Sequence, residues 1–215
     1  MTTAFSIKES LAFGWEVFKK QPWFYISVIL ALTLFSIIVD VLINGGRNDA
    51  SLLGFIISFL ASTIVSIAYA RLALSVADGG TPVGWEGLWV PDRFFPMLGT
   101  IALQGVIILV GLVLLIIPGI IAAVLLMFAQ LAVVDKNLNP VEALKESYAL
   151  TKPHLWQLVL FSFAILALNI VGFFALVIGL LVTVPVSVIA VAHVYKKLAK
   201  LSVPAVVPAP ETPGA

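Results

Sequence analysis

The chain has 215 residues, 61% of them hydrophobic and only 11% charged. Soluble domains run nearer half apolar and a quarter charged, so this composition points to an integral membrane protein. A formal net charge of +1 excludes the basic field that nucleic acid requires, and the absence of cysteine excludes disulfides and thiolate chemistry.

The first predicted element is an amphipathic helix over 6–20. Ile7, Leu11, Trp15 and Phe18 recur at helical spacing, with Lys8, Glu9, Glu16, Lys19 and Lys20 between them. Ser6 and Glu9 have the spacing of a capping box. Such a helix beside a span is expected to lie in the membrane interface. Roughly 20 apolar residues cross a hydrocarbon core about 30 Å thick. Two such spans follow, 22–43 and 52–75; Gly45-Gly46 closes the first and Asp78-Gly79-Gly80 follows the second. The first lacks a clear small-x-small processing site, so it is expected to be retained rather than cleaved.

The apolar stretch 94–134 is too long for one span: as a single helix it reaches about 60 Å, so it must fold back. Pro118-Gly119 is the strong breaker near its middle, which predicts a turn there and spans over 94–117 and 119–134. A second amphipathic helix is expected over 139–152. Asn139 and Glu142 cap it, Pro140 takes the first turn, and Val141, Leu144 and Tyr148 form its stripe. The stretch 155–195 must fold back in the same way. A turn near Ile178-Gly179 gives spans 154–177 and 179–198, with Pro185 expected to kink the last. The tail 201–215 carries Pro204, Pro208, Pro210 and Pro213 and is expected to be disordered. The fold class is therefore an all-α polytopic membrane bundle of six transmembrane helices with interfacial amphipathic helices.

The charges set an orientation. Lys8, Lys19, Lys20, Arg71, Arg93, Lys136, Lys145, Lys152, Lys196, Lys197 and Lys200 share one side, leaving Arg47 alone on the other. That asymmetry predicts a multi-pass protein of the cell (inner) membrane with both termini cytoplasmic. All the Trp and Tyr residues map to the same side. There is also an internal echo: at an offset of 133, Ser6, Glu9, Leu11, Trp15, Lys19 and Trp23 fall on Asn139, Glu142, Leu144, Tyr148, Lys152 and Trp156. Thr81 to Arg93 is a weaker copy, and an offset of 60 places Pro118-Gly119 on Ile178-Gly179. The expected organisation is three units, each an interfacial helix followed by a two-span hairpin.

Several of these residues also carry a resemblance. Pro118-Gly119, Asp135, the run Pro140 to Ser147, Lys152, Trp156, Gly179, Pro185 and Tyr195, with Gly14 to Trp23 near the start, resemble bacterial six-span membrane proteins of largely unknown function. That group includes the membrane domain fused to some glycerophosphoryl diester phosphodiesterases. The resemblance implies a fold and a compartment, not the phosphodiesterase activity, because the soluble catalytic domain is absent from these residues.

The candidate lipid-facing residues are Trp15, Lys19, Lys20, Trp23, Lys152 and Trp156. Intramembrane polar candidates are Asp40, Gln104, Gln130, Asn169 and His193. Asp40 is expected to reach water or Arg47, Arg71 to snorkel to headgroups, and the amides to bond between helices. Gly105, Gly111, Ala122, Ala123 and Ala129 offer small packing surfaces. Asp135, Glu142, His154 and His193 are the right types for a metal or acid–base site, but no matching motif spacing occurs, and Asp135 is expected to close its loop with Lys136 or Lys152. No cofactor is expected. The expected function is a non-catalytic module acting at the cytoplasmic membrane interface, by organising lipid or docking a partner. The alternative is a small transporter or permease component. Expected partners are membrane lipids, then a second copy of the chain or a cytoplasmic protein, and no nucleic acid.

Overall fold

The computed structural model describes residues 4–44, 52–175 and 179–202. Gly45-Gly46, Arg47, Ile178 and the tail from Val203 lie outside them. Among the described residues the chain is all-helical, without strands: α1 (Ile7–Lys20), α2 (Pro22–Asn44), α3 (Leu52–Val76), α4 (Phe94–Leu114), α5 (Ile116–Leu125), α6 (Ala129–Lys136), α7 (Pro140–Thr151), α8 (Leu155–Phe174) and α9 (Leu180–Ser202), with short 3₁₀ turns between some of them. Six helical segments among these residues are long and apolar enough to cross a membrane. α9 takes in Leu201 and Ser202, so the helix extends into the predicted tail.

Local chemistry starts the helices. The Asn139 side chain accepts from the Glu142 amide at 2.9 Å and the Asn139 amide donates to Glu142 Oε2 at 3.3 Å, which completes a capping box for α7. At α1 only half of the box forms. Ser6 Oγ accepts from the Glu9 amide at 3.3 Å, but the Glu9 carboxylate turns to Lys197 Nζ, 3.2 Å away on α9. The ammonium draws the carboxylate away from the cap.

The hairpin turns differ from expectation in an instructive way. The α4–α5 reversal falls at Leu115, which is fully extended (φ −165°, ψ 149°), and not at Pro118-Gly119. Pro118 sits in the first turn of α5, where a missing N–H leaves no helical bond unmade. Gly119 serves close approach instead: a Cβ there would lie 2.8 Å from the Leu112 amide nitrogen and would overlap the Leu112 side chain. A Cβ on Gly111 would lie 3.0 Å from the Gly119 Cα. The α8–α9 hairpin repeats this device. A Cβ on Gly179 would lie 2.8 Å from the Gly172 Cα and would overlap the Gly172 carbonyl. Gly105, by contrast, faces open space and is no packing point. Pro185 lies buried inside α9, which runs on through it to Ser202.

The fourth apolar segment is not one continuous helix. It breaks at Leu126–Phe128, between α5 and α6, with neither proline nor glycine at the break. Helices interrupted without such residues usually have a side chain inserted into the hydrogen-bond ladder. Here α7 supplies it. Ser147 Oγ accepts from the Phe128 amide (3.1 Å) and donates to the Leu125 carbonyl (2.9 Å), which also receives Thr151 Oγ1 (2.8 Å).

The core is concentrated in one half of the bundle. Phe128, Phe161, Met97, Leu158, Ile189 and Tyr195 are fully buried there. Towards the hairpin turns the side chains point outward: Val113, Leu114, Ile116 and Ile117 on one hairpin, Val171 and Phe174 on another, are all two-thirds or more exposed. So large a continuous apolar surface is incompatible with water, and hydrocarbon is the solvent that covers it. The chain is a multi-pass membrane protein.

Candidate functional site

Opposite the hairpin turns lies a charged end, held together through α9. Lys196 pairs with Asp135 at the end of α6 (2.5 Å), Lys197 with Glu9 of α1 (3.2 Å), and Lys200 with Asp78 after α3 (2.6 Å). Asp135 thus meets α9, not Lys136 or Lys152; it also accepts from Tyr195 Oη at 3.1 Å. Lys136 goes to Glu146 at 2.5 Å. The reason is that two neighbouring side chains of α9, Tyr195 and Lys196, both reach Asp135. His193 hydrogen-bonds the Ala77 carbonyl through Nδ1 (3.0 Å), and its ring stacks on Phe13 at 4.0 Å between centroids. Gln157 donates to the Phe5 carbonyl, tying the chain start to α8. Arg71, expected to snorkel, donates through Nε to the Gly87 carbonyl at 3.3 Å and fixes the loop before α4. Among the described residues no three His, Asp or Glu side chains gather into a metal-like group.

Only part of each predicted apolar stripe faces the bundle. In α1 the buried face is Ser10, Gly14, Val17 and Phe18, while Trp15 is exposed. In α7 it is Ala143, Leu144, Ser147, Leu150 and Thr151, while Val141 and Tyr148 are exposed. Small and hydroxyl-bearing residues face the protein because each helix approaches a backbone carbonyl. A Cβ on Gly14 would lie 2.5 Å from the Val186 carbonyl oxygen, and Ser147 bonds the Leu125 carbonyl. Gly14 and Ser147 are 133 positions apart, the offset of the sequence echo.

The outward faces match as well. Lys19 lies over the Trp15 ring at 5.9 Å, and Lys152 lies over the Tyr148 ring at 5.2 Å. Each contact is worth about 0.5–1 kcal/mol at an exposed site. Lys19 also bonds Glu16 at 2.7 Å, and Lys20 is exposed beside it. Four residues after each lysine stands an indole with almost nothing over it: Trp23 is 81% exposed and Trp156 80%. The result is two equivalent clusters, Trp15–Lys19–Trp23 and Tyr148–Lys152–Trp156, each where a short helix turns into a long apolar one. The segment Thr81 to Arg93 does not form a third helix. It makes two 3₁₀ turns, Trp85–Leu88 and Pro91–Arg93, because Gly84, Gly87 and Pro91 interrupt it.

Of the intramembrane polar candidates, Gln104, Gln130 and Asn169 lie near one another, Asp40 lies apart, and His193 belongs to the charged end. Asp40 lines a small cavity of about 180 Å³ with Ser36, Ser58 and Ser62, between α2 and α3. Further along the same pair of helices, Tyr69 interacts with the Thr33 side chain. Tyr69 and Ser66 then line a second cavity with Gln130 and Ser187. Gln130 Nε2 donates to Gln104 Oε1 (3.4 Å), and Gln104 Nε2 donates to the Leu126 carbonyl at the α5–α6 break (3.1 Å). Asn169 Nδ2 donates to Ser187 Oγ and to the Ile165 carbonyl, both at 2.9 Å. The break was invisible to a search for proline and glycine; the residues that could have revealed it are Ser147 and Thr151, one helical turn apart on α7.

No family model matches the chain, and no solved structure matches it. It is similar to proteins of mycobacteria. "Uncharacterized protein Rv2560" of Mycobacterium tuberculosis is 28% identical over 160 residues, covering 74% of this chain and 49% of that protein. "Uncharacterized protein Mb2590" of Mycobacterium bovis is 28% identical over 164 residues, with the same coverage. The chain thus spans about half the length of the curated relatives it matches.

Proposed function

We propose that this chain is a non-catalytic membrane module of the bacterial inner membrane that organises lipid at its charged end, with that end facing the cytoplasm. The observation that carries the reading is the pair of aromatic–lysine clusters, Trp15–Lys19–Trp23 and Tyr148–Lys152–Trp156. Indoles and phenols favour the headgroup level, and lysines near an anionic surface contribute about 1 kcal/mol each. Neighbouring acidic side chains, such as Glu16 on Lys19, reduce that attraction. The resemblance to membrane domains fused to glycerophosphoryl diester phosphodiesterases fits that compartment and carries no activity over to this chain.

The test is depth and sidedness. With no native cysteine, a single cysteine at position 19 or 152 can carry a spin label, and its depth can be read by power saturation in vesicles. Both labels should report the headgroup level of the same leaflet. A label deep in hydrocarbon, or the two in opposite leaflets, would refute the reading.

The second reading is a small transporter or permease component, and the observation favouring it is the grouping of Gln104, Gln130, Asn169 and Ser187 within the spans. Single cysteines replacing Gln104 and Asn169 distinguish the two. Modification of both by water-soluble thiol reagents supports transport, and protection of both supports the module.

A further inference from the structure

Two open clefts meet on either side of Met127, at the break between α5 and α6. One, about 330 Å³, lies between α5 and α8 and is walled mainly by apolar side chains, among them Ile120, Val124, Phe163 and Leu166, with Ser162 the one hydroxyl. Ile120, Phe163 and Leu166 are themselves 44–57% exposed, so this cleft opens to whatever bathes the apolar flank of the bundle. The other, about 340 Å³, presents Ser66, Tyr69, Gln130 and Ser187 among apolar neighbours. Met127 lines both clefts, and its unbranched side chain is the kind that moves aside at low cost.

The polar cleft has unused hydrogen-bonding capacity. Gln130 spends one amide hydrogen on Gln104, while its Oε1 accepts no bond among the described residues. Ser187 Oγ accepts from Asn169, and no described acceptor takes its proton. Asn169 Oδ1 and Thr183 Oγ1, which line neither cleft, are also buried without a hydrogen-bond partner among the described residues. Unmet polar atoms in hydrocarbon are costly, so Gln130 Oε1 and the Ser187 hydroxyl, which do line the cleft, favour a group that supplies the missing bonds. No charged side chain lines either cleft. A phosphate or ammonium head would therefore be desolvated with no counter-charge.

We propose that the paired clefts bind a membrane amphiphile whose head is uncharged and hydrogen-bonding, with a hydroxyl as the simplest case. The tail lies in the α5–α8 cleft. The head passes Met127 and exchanges hydrogen bonds with Gln130 and Ser187. The interrupted helix is what makes room for it: a continuous α5–α6 would carry Met127 and the facing backbone through the junction.

The test uses the whole protein in phosphatidylcholine nanodiscs with a photoactivatable diazirine derivative of hexadecanol. Labelling should saturate and map by mass spectrometry to residues 120–130 and 159–166. Unlabelled hexadecanol or dioleoylglycerol should displace it at least tenfold better than hexadecyl phosphate or hexadecyltrimethylammonium. Gln130→Leu should weaken apparent binding about tenfold, and Ser187→Ala about threefold. Val124→Trp, which fills the tail cleft, should abolish labelling. Labelling that never saturates, or charged heads that compete equally well, overturns the proposal. That comparison needs no variant, so it stands even if a substitution impairs folding. Unchanged binding in a folded Gln130→Leu protein overturns it too.

Discussion

Ser147 Oγ stands between the Phe128 amide and the Leu125 carbonyl, accepting from one at 3.1 Å and donating to the other at 2.9 Å. One hydroxyl on α7 thereby stands in for bonds that a continuous helix would have made for itself. Thr151 adds a second donor to the same carbonyl. The relationship explains how an apolar segment can break inside a membrane, where water cannot meet the freed backbone groups. It also ties α7 to the interior of the bundle.

Ser147→Ala should therefore be destabilising beyond its size. It leaves a buried amide and part of a carbonyl unmet, at a cost of about 1–3 kcal/mol. For a chain of this length that corresponds to a fall in Tm of roughly 2–4 °C per kcal/mol. Thermal unfolding in detergent should show Ser147→Ala together with Thr151→Val falling further than either alone. A Tm within 1 °C of the unaltered protein would contradict the account of the break.

The glycine pairs give a sharper contrast. Gly179→Ala would drive a Cβ into the Gly172 backbone, and neither backbone can move without opening the hairpin. Gly105→Ala meets nothing within 4 Å and removes a helix-weakening glycine. The first should lower Tm or abolish a monodisperse elution peak; the second should be neutral or stabilising by up to about 1 kcal/mol. Equal behaviour of the two would contradict the close-packed hairpin.

Gln104 and Gln130 should act as a unit. A double-mutant cycle with Gln104→Leu and Gln130→Leu should return a coupling of about 0.5–2 kcal/mol, the range for amide bonds between membrane helices. Additive effects would mean that the 3.4 Å contact carries no energy.

Much of this fold was legible in the residues, and the failures have a common cause. Cap residues placed the starts of α1 and α7, and span arithmetic placed the long helices to within a few residues. Pro118-Gly119 was assigned to a turn because both residues break helices in water. In the membrane hairpin the proline opens a helix and the glycine admits its neighbour. The stripes of α1 and α7 identified both helices as amphipathic, but periodicity did not say which of their residues meet the bundle. Trp15 and Tyr148 turn outward while Phe18 and Leu144 turn in beside Gly14 and Ser147, a division that side-chain hydropathy does not make. The break at Leu126–Phe128 has no local signal at all, since its cause lies about twenty residues away on another helix. The candidate lipid-facing residues were named from sequence; that each lysine lies over an aromatic ring, and that the two clusters are equivalent, required the structure.

The charged end should also respond to salt. Glu9–Lys197 and Asp78–Lys200 are largely exposed pairs, which screening weakens. Hydrogen exchange in the last two turns of α9 should accelerate between low and high ionic strength, while exchange around buried Ile189 stays unchanged. Uniform exchange along α9 at both ionic strengths would contradict its role as the strap of that end.

If the two aromatic–lysine clusters organise lipid, they should set how much phosphatidylglycerol the purified protein retains after reconstitution into mixed phosphatidylglycerol–phosphatidylcholine vesicles. The unaltered protein should retain phosphatidylglycerol above its bulk fraction. Lys19→Ala with Trp23→Ala, or Lys152→Ala with Trp156→Ala, should each remove about half of the excess, and the four changes together should remove it. Lys145→Ala, outside both clusters, should leave it intact. An undiminished excess in the folded fourfold variant would contradict the account.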